Sequence, residues 1–341
     1  MKLRRLGKTG LQVSEIGFGA EWLERHPEED GIDLIHYASA QGINILDCWM
    51  PDPKSRDIIG KGIKDNRSQW YIQGHLGSTW KDEQYFRTRD MTYVRPAFED
   101  LLARLQTDYI DLGMIHYVDS EQEWEQLQHS DYLDYVMSLK NSGVIRHIGM
   151  SSHNPKVAMK AAQSGYVEMI LFSINPAFDM LPASENIDTM FAEEFDAGLK
   201  GTAPDRTKLY RTCEENDVGI TVMKGFAGGR LFDEKRSPFG VRLSPVQCIH
   251  YALTRPAVSA ILCGYDTSSS LILKFYFWIE MRKLNSSVVS RKMPRNTFLC
   301  EISFLRPSRK NLVQVLNRWN TDIQKALNSK RGQLNFSHIQ P

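Results

Sequence analysis

The chain has 341 residues, a formal net charge of +1 and 42% hydrophobic residues. This composition excludes a globally disordered chain, and the balanced charge gives no reason to expect a nucleic-acid partner. No uncharged apolar run approaches about 18 residues, and no apolar segment follows the basic start MKLRRLGKTGLQ, so neither a membrane span nor a secretory signal is expected. The five cysteines are scattered without a C-x-x-C pair. This pattern is typical of a reducing compartment, so we expect a cytoplasmic protein.

The charge is distributed unevenly along the chain. Residues 268–341 contain 13 Lys and Arg against 3 Asp and Glu, whereas residues 1–267 carry a net charge of −9. We therefore expect one folded domain over residues 1–267 and a basic tail over residues 268–341. The abrupt change favours a frameshifted or aberrantly spliced end over a separate domain. Nucleic-acid binding is the least favoured explanation, because no recognition motif accompanies the basic charge.

The first residues predict a β-hairpin, because KLRRLGKTGLQVS places a KTG turn between two short β-like pieces. Eight further apolar runs predict strands, and longer amphipathic segments that predict helices lie between most of them. In chain order the runs are SEIGFGA, NILD, WYIQG, YIDLGMIH, IRHIGM, VEMILFSI, GITVMKG and SAILCG. Eight strand-then-helix units in about 250 residues predict a (β/α)8 TIM barrel, an α/β fold whose bottom the hairpin would close. A doubly wound open sheet is disfavoured, because no G-x-G-x-x-G follows the first strand.

Polar residues follow several of these predicted strands, at the end of the barrel where enzymes of this fold carry their chemistry. They are Asp47, His75, His116, Ser151, Ser152, Asn175, Lys224 and Gly264. A histidine there can donate a hydrogen bond to a carbonyl or alcohol oxygen, although a satisfied core histidine is the simpler alternative. Lys224 precedes a glycine-rich turn whose backbone N–H groups can hold a phosphate.

Five motifs also carry a family resemblance, over roughly residues 1–267. They are LGKTGLQVSEIGFGA, GINILDCW, TDYIDLGMIH, IRHIGMSSHNP and GITVMKGFAGGRL. Their order and spacing resemble those of the aldo-keto reductase family. The resemblance implies a barrel that reduces carbonyls with NADPH, without a metal. It implies a small carbonyl or alcohol substrate and a monomer or weak oligomer, and it leaves NADP versus NAD open.

The family's catalytic residues are an Asp, a Tyr, a Lys and a His, and the resemblance carries over only two of them. Asp47 matches the Asp and His116 matches the His. Asp52 stands at the position of the Tyr, which is the family's proton donor, and His75 stands at the position of the Lys. Gly60 keeps the register of the motif, so an insertion does not explain the difference. The hypothesis is that His75 replaces the pair as proton donor, oriented by Asp47, with His116 on the substrate and Asp52 as a solvated loop acid.

The cofactor positions implied by the resemblance are partly kept. Leu171 and Met223 stand near the positions of the family's nicotinamide-binding Gln and stacking Tyr. The residues expected to bind the cofactor are Ser151, Ser152, Lys224, Gly225, Phe226, Gly228 and Gly264. The chain thus resembles a divergent branch that often carries a C-terminal ferredoxin-like segment with a [4Fe-4S] cluster. That segment is missing here, and Cys300 alone cannot supply the thiolates of a cluster.

The residues leave three functions open. The preferred one is an NAD(P)H-dependent oxidoreductase with altered proton chemistry. The second is a catalytically inactive barrel that binds a ligand or a partner protein, which the loss of the Tyr and Lys favours. The third is a metal site formed by Asp47, Asp52, His75 and His116, since two histidines and two carboxylates are a plausible set of ligands.

Overall fold

The computed structural model describes residues 1–192, 199 and 201–264. The predicted tail over residues 268–341 and its boundary at residue 267 lie outside the described residues. Within the described part, no helix combines the length and the apolar character that crossing a membrane requires.

Twelve strands are present among the described residues. They are β1 (Leu3–Arg5), β2 (Gln12–Ser14), β3 (Ile16–Gly19), β4 (Ile45–Cys48), β5 (Tyr71–Leu76), β6 (Ser78–Lys81), β7 (Gln84–Arg87), β8 (Ile110–Ile115), β9 (Ile145–Ser152), β10 (Met169–Ser173), β11 (Gly219–Met223) and β12 (Val258–Gly264). Eight of them are parallel and close into a barrel in the order β3-β4-β5-β8-β9-β10-β11-β12, with β12 pairing back to β3. Each of the eight overlaps one of the predicted apolar runs, so the predicted TIM barrel is confirmed.

Helices connect the barrel strands and cover the outside of the barrel. The described helices are α1 (Glu28–Ala40), α2 (Pro53–Ile63), α3 (Met91–Arg104), α4 (Glu121–Leu127), α5 (Asp131–Asn141), α6 (Pro155–Gln163), α7 (Asp188–Phe191), α8 (Pro204–Glu215) and α9 (Pro245–Leu253). Pro at the first turn and a capping Ser, Asn or Asp begin several of them, because these residues satisfy or dispense with the free N–H groups of a helix start.

The predicted N-terminal hairpin is also confirmed, since β1 and β2 pair antiparallel. Leu6 and Val13 from this hairpin are fully buried, in one cluster with the interior barrel residues Ile45 and Leu112. The hairpin therefore fills the barrel at the end opposite to the strand ends that carry the polar residues.

Side chains alternate along each barrel strand, and this alternation determines which ones reach the interior. On β5, Ile72 and Leu76 belong to the apolar layer between barrel and helices, whereas Gln73 and His75 are buried polar residues on the other face. The register pairs Asp47 of β4 with Gln73 of β5. The alternation thus places several polar side chains inside the barrel, close to its mouth.

A second hairpin, formed by β6 and β7, follows β5 and was not predicted from the sequence. Its strands pair antiparallel from Ser78–Arg87 to Lys81–Gln84, so the turn consists of two residues, Asp82 and Glu83. Both have positive φ, 50° and 58°. Two-residue turns of this kind favour Asn-Gly because a Cβ is strained at such φ values, so the sequence lacks the usual hairpin signal.

We expect the double change Asp82→Asn, Glu83→Gly to stabilise the protein by about 1 kcal/mol, because both replacements tolerate a left-handed backbone better. Urea unfolding followed by circular dichroism measures the difference. Asp82→Asn, Glu83→Ala is the matched control, since it removes the same two carboxylates but keeps a Cβ on residue 83, whose φ is positive. An equal gain in the control would show that charge, and not backbone strain, is responsible.

Candidate active site

The three predicted catalytic residues lie together at the barrel mouth and form one hydrogen-bonded chain. The Nε2 atom of His75 lies 3.0 Å from Oδ1 of Asp47, and its Nδ1 atom lies 2.8 Å from Nδ1 of His116. All three side chains are buried, with exposed fractions of 5% or less. They come from the ends of β4 and β5 and from the residue after β8, which are neighbouring strands in the barrel.

Two further residues extend this chain into the barrel. Gln73 Nε2 donates to Oδ1 of Asp47 at 2.8 Å, and Thr221 Oγ1 donates to Oε1 of Gln73 at 2.9 Å. The threonine thereby determines which way the Gln73 amide faces, so that its NH2 group is directed at the carboxylate. Asp47 Oδ1 thus accepts hydrogen bonds from both Gln73 and His75.

Tyr85 lies at the other end of the chain. Its hydroxyl is 2.7 Å from Nε2 of His116, and its ring contacts Trp49 edge to face with centroids 5.4 Å apart. Trp49 in turn stacks on the His116 ring. Burial raises the pKa of Tyr85 to about 12, against the opposing charge of Arg87, so its hydroxyl is protonated at neutral pH. Sequence reasoning missed this residue because it follows no barrel strand and comes from the β6–β7 hairpin.

The direction of the hydrogen bonds follows from these charge states. Burial, with His75 and Arg89 nearby, lowers the pKa of His116 well below its ordinary value, so its imidazole is neutral. The network then assigns the protons consistently. Tyr85 donates to His116 Nε2, His116 donates from Nδ1 to His75, and His75 donates from Nε2 to Asp47. Every donor in the chain then has one acceptor.

The contacts of His75 and Asp52 bear on their predicted roles. His75 is 3% exposed and both of its ring nitrogens are engaged, so it is not placed to donate a proton directly to a substrate. Asp52, expected from the sequence to be a solvated loop acid, has a structural role, because its side chain accepts a hydrogen bond from the Ser55 backbone N–H and caps the N-terminus of α2. An acid followed by proline is a recognised start of a helix, and this signal was available in the sequence.

A second polar chain lies at the same mouth. The Nδ1 atom of His153 is 3.0 Å from Oδ2 of Asp119, and its Nε2 atom is 3.2 Å from Nζ of Lys224. Burial lowers the pKa of Lys224, although the charges of Glu21 and Asp119 oppose this effect. Lys224 also has a positive φ of 55°, a strained backbone of the kind that occurs at functional sites. The Lys224 ammonium group thus lies within hydrogen-bond distance of His153 and interacts with the charges of Glu21 and Asp119.

The predicted cofactor positions surround this mouth. Ser151 and Ser152 end β9, where Ser151 Oγ accepts from the Tyr117 N–H and Ser152 Oγ donates to Asp119. The glycine-rich turn follows β11 and begins at Gly225 and Phe226, and Gly264 ends β12. Gly228 and Gly229 have positive φ, and a Cβ on either would meet no atom within 4 Å. This open, left-handed backbone at a strand end suits close approach of a phosphate, so the turn fits the pyrophosphate of a nicotinamide cofactor.

The two positions expected near the nicotinamide differ in chemistry from the turn expected to hold the phosphates. Leu171 is 2% exposed and packs in the barrel interior, with Met223 against the same cluster. Neither side chain can donate a hydrogen bond to an amide.

The proposed metal ligands are not arranged as a metal site. Across residues 1–192, 199 and 201–264, no group of three or more His, Cys, Asp or Glu side chains is placed to hold a metal ion. Asp52 is occupied by the helix cap described above. Cys48, which follows Asp47, is buried, and this burial raises the pKa of its thiol to about 12. It is therefore a packed thiol and not a nucleophile.

Comparison with known proteins agrees with this architecture. Residues 15–262 match the model of the aldo/keto reductase family. The chain is 28% identical over 276 residues to the uncharacterized oxidoreductase YqkF of Bacillus subtilis, covering 77% of this chain and 87% of that protein. It is 31% identical to the aldo-keto reductase YhdN of the same organism, over 45% of this chain and 47% of YhdN.

A solved structure shows the same fold. The holo form of the aldo-keto reductase AKR11C1 from Bacillus halodurans superposes with a TM-score of 0.63 at 21% identity, over 87% of this chain and 99% of that one. The closed barrel, the polar residues at its strand ends and the family model agree. The chain belongs to the aldo/keto reductase family and is an oxidoreductase of that type.

Proposed function

We propose that this protein is an NAD(P)H-dependent oxidoreductase that acts on a small carbonyl or alcohol, with NADP(H) as the favoured cofactor. The observation that carries the proposal is the hydrogen-bonded chain from Asp47 through His75 to His116. It runs from the barrel interior to the mouth, where a substrate of this fold class reacts. Such a chain can move a proton to or from a substrate oxygen, as a carbonyl–alcohol interconversion requires.

The cofactor would lie across the mouth. The Gly228–Gly229 turn would hold the pyrophosphate, together with Gly225, Phe226 and Gly264, while the hydroxyls of Ser151 and Ser152 would border the nicotinamide. When bound, the cofactor supplies a hydride to the carbonyl carbon. In this arrangement Lys224 does not contact the phosphates directly. Its Nζ atom lies 3.2 Å from Nε2 of His153 and would add a positive charge next to the reacting centre.

The residues that stand at the positions of the family's catalytic Asp, Lys and Tyr have defined roles in this proposal. Asp47 holds His75 in one tautomer and stabilises the positive charge that His75 acquires with a second proton. His75 is a positioning and proton-storing residue behind His116. Asp52 takes no part in the chemistry, because its carboxylate caps α2.

A reducing compartment such as the cytoplasm suits this chemistry and this chain. Cys48, Cys213 and Cys248 are buried thiols that form no disulfide.

The test of the proposed function uses the purified full chain. We expect NADPH to bind with quenching of protein fluorescence, and we expect turnover with small aldehydes or ketones such as 4-nitrobenzaldehyde and butane-2,3-dione. Loss of NADPH absorbance measures the turnover, and NADH is the parallel cofactor. Tight cofactor binding without turnover of any carbonyl in a broad panel would point to the inactive barrel instead. Absence of both binding and turnover would contradict the proposal.

A further inference from the structure

We propose that Tyr85 gives the proton to the carbonyl oxygen of the substrate, and receives it from the alcohol in the reverse reaction. The proton reaches Tyr85 through His116 and His75. This inference rests on the proposed function, because it assigns the proton donor of that same site. It places the donor on the β6–β7 hairpin, away from the strand ends that hold the other members of the chain.

Exposure distinguishes Tyr85 from the rest of the chain. Asp47, His75 and His116 have exposed fractions of 5%, 3% and 5%, whereas Tyr85 is 37% exposed. The Nε2 atom of His116 is directed at the Tyr85 hydroxyl, at 2.7 Å. Tyr85 is therefore the member of the chain that a substrate reaches first, and its hydroxyl connects the substrate oxygen to the buried histidines.

The hairpin holds this hydroxyl in a defined position. The Ser78 hydroxyl donates to the backbone carbonyl of Trp49 at 2.6 Å, and the Trp49 ring lies against both Tyr85 and His116. Beyond the hairpin, Arg89 donates from Nη2 to the carbonyl oxygens of His116 and Tyr117. These contacts join both ends of the hairpin to the strand ends of β4 and β8. The tyrosine is thus preorganised by the fold and not left on a free loop.

Charges near Tyr85 suit a group that loses and regains a proton. Its burial favours the neutral hydroxyl, while Arg87 and Arg89 act in the opposite direction and stabilise a transient phenolate. Both guanidinium groups bond to Glu123 of α4, which keeps them in place. Tyr85 is therefore protonated before the reaction, yet its anion is not isolated from positive charge.

The proton balance of reduction follows from the geometry. Reduction starts when solvent adds one proton to the neutral chain, so that His75 carries protons on both nitrogens. The hydrogen bonds then run outward, from His75 Nδ1–H to His116 and from His116 Nε2–H to Tyr85. As the carbonyl carbon gains a hydride and the C=O π bond breaks, the oxygen takes the Tyr85 proton. Tyr85 recovers a proton from His116 Nε2, and His116 Nδ1 takes the Nδ1 proton of His75.

After this relay, His75 is neutral and still donates from Nε2 to Asp47. All bonds then run inward from Tyr85 to Asp47, which is the arrangement assigned to the neutral chain above. One proton has left the chain, one alcohol O–H bond has formed, and solvent restores the proton. Alcohol oxidation is the same relay in reverse, with the neutral chain accepting the proton.

The test is the variant Tyr85→Phe, which removes only the hydroxyl. We expect kcat for carbonyl reduction to fall by roughly 10²–10⁴-fold, the usual contribution of a general acid, while the Kd for NADPH stays within about threefold of wild type. The matched control is Tyr93→Phe. Tyr93 is equally exposed, at 38%, and its hydroxyl lies 3.5 Å from the Lys81 ammonium, outside the chain. The control is expected to keep wild-type kcat.

A second measurement does not depend on turnover. Long-range ¹H–¹⁵N spectra of histidine-labelled protein, assigned with His116→Gln, report which nitrogens are protonated and which accept hydrogen bonds. In wild type, Nε2 of His116 is expected to be an unprotonated acceptor. In Tyr85→Phe its resonance is expected to shift toward that of an unbonded nitrogen, whereas Tyr93→Phe leaves it unchanged.

The outcomes separate the two proposals. Two results would overturn the role of Tyr85 alone. One is a kcat of Tyr85→Phe within threefold of an active wild type, and the other is an identical His116 spectrum in wild type and Tyr85→Phe. A wild-type protein that neither binds NADPH nor turns over any carbonyl would overturn the proposed function and this inference together. Loss of kcat in Tyr85→Phe with unchanged cofactor binding, and with the ¹⁵N shift, would support both.

Discussion

Asp47→Asn is expected to lower kcat for carbonyl reduction by roughly 100-fold or more, with little change in the Kd for NADPH. Asparagine keeps the shape of the side chain, and its Oδ1 atom can still accept from Gln73 and His75, which now lie 2.8 and 3.0 Å from it. What is lost is the negative charge that stabilises a doubly protonated His75. The effect is therefore expected in kcat and not in KM, as measured by steady-state kinetics with both substrates varied.

Asp52→Asn is the matched control for this experiment. It removes one carboxylate five residues further along, and asparagine caps a helix about as well as aspartate. Its kcat is expected to stay within threefold of wild type, because the Asp52 side chain accepts from the Ser55 N–H at the start of α2. An equal loss of kcat in both variants would show that any negative charge near the barrel mouth supports the reaction. The specific role proposed for Asp47 would then be contradicted.

Removal of Asp179 is expected to cost about 3–5 kcal/mol of unfolding free energy, the largest stability effect that we expect for a single residue. Asp179 and Arg206 are both fully buried, 3.3 Å apart. The hydroxyls of Tyr210 and Tyr251 also donate to the carboxylate, at 2.5 and 2.8 Å. Asp179 follows β10, and its partners lie on α8 and α9. Asp179→Ala therefore leaves a buried guanidinium without its counter-charge and two hydroxyls without the carboxylate that accepts from them.

Urea denaturation with linear extrapolation measures this loss. Asp217→Asn is the control, since it alters the exposed ion pair between Arg5 and Asp217, whose side chains are about half exposed. Exposed pairs contribute little, so its midpoint is expected to stay close to wild type. A loss below about 1 kcal/mol in Asp179→Ala would show that water or rearranged side chains replace the carboxylate.

The position of Tyr85 suggests how an active site can keep its chemistry while its sequence motif changes. By the resemblance of the motifs, Asp52 stands at the place of the family's tyrosine, and in the structure its side chain caps the start of α2. A tyrosine hydroxyl nevertheless lies at the mouth, 2.7 Å from His116, because the β6–β7 hairpin carries it there. On this interpretation, the proton donor has been moved from one loop to another and not lost.

The sequence by itself determined the barrel. Its eight barrel strands are marked by short apolar runs, and several helix starts are marked by capping residues, and these local patterns need no distant partner. The sequence also indicated that Asp47, His75 and His116 would meet, because parallel strands in a barrel bring their carboxyl ends to one mouth.

Only the tertiary structure decided which groups complete the site. Tyr85 reaches His116 through a hairpin whose Asp82–Glu83 turn lacks glycine, so no local pattern marked it. The engagement of Lys224 by His153, and of both His75 nitrogens, depends on side chains from different strands. Such contacts are non-local, since they arise only when strands far apart in the chain become neighbours, and their geometry determines which residue faces the substrate.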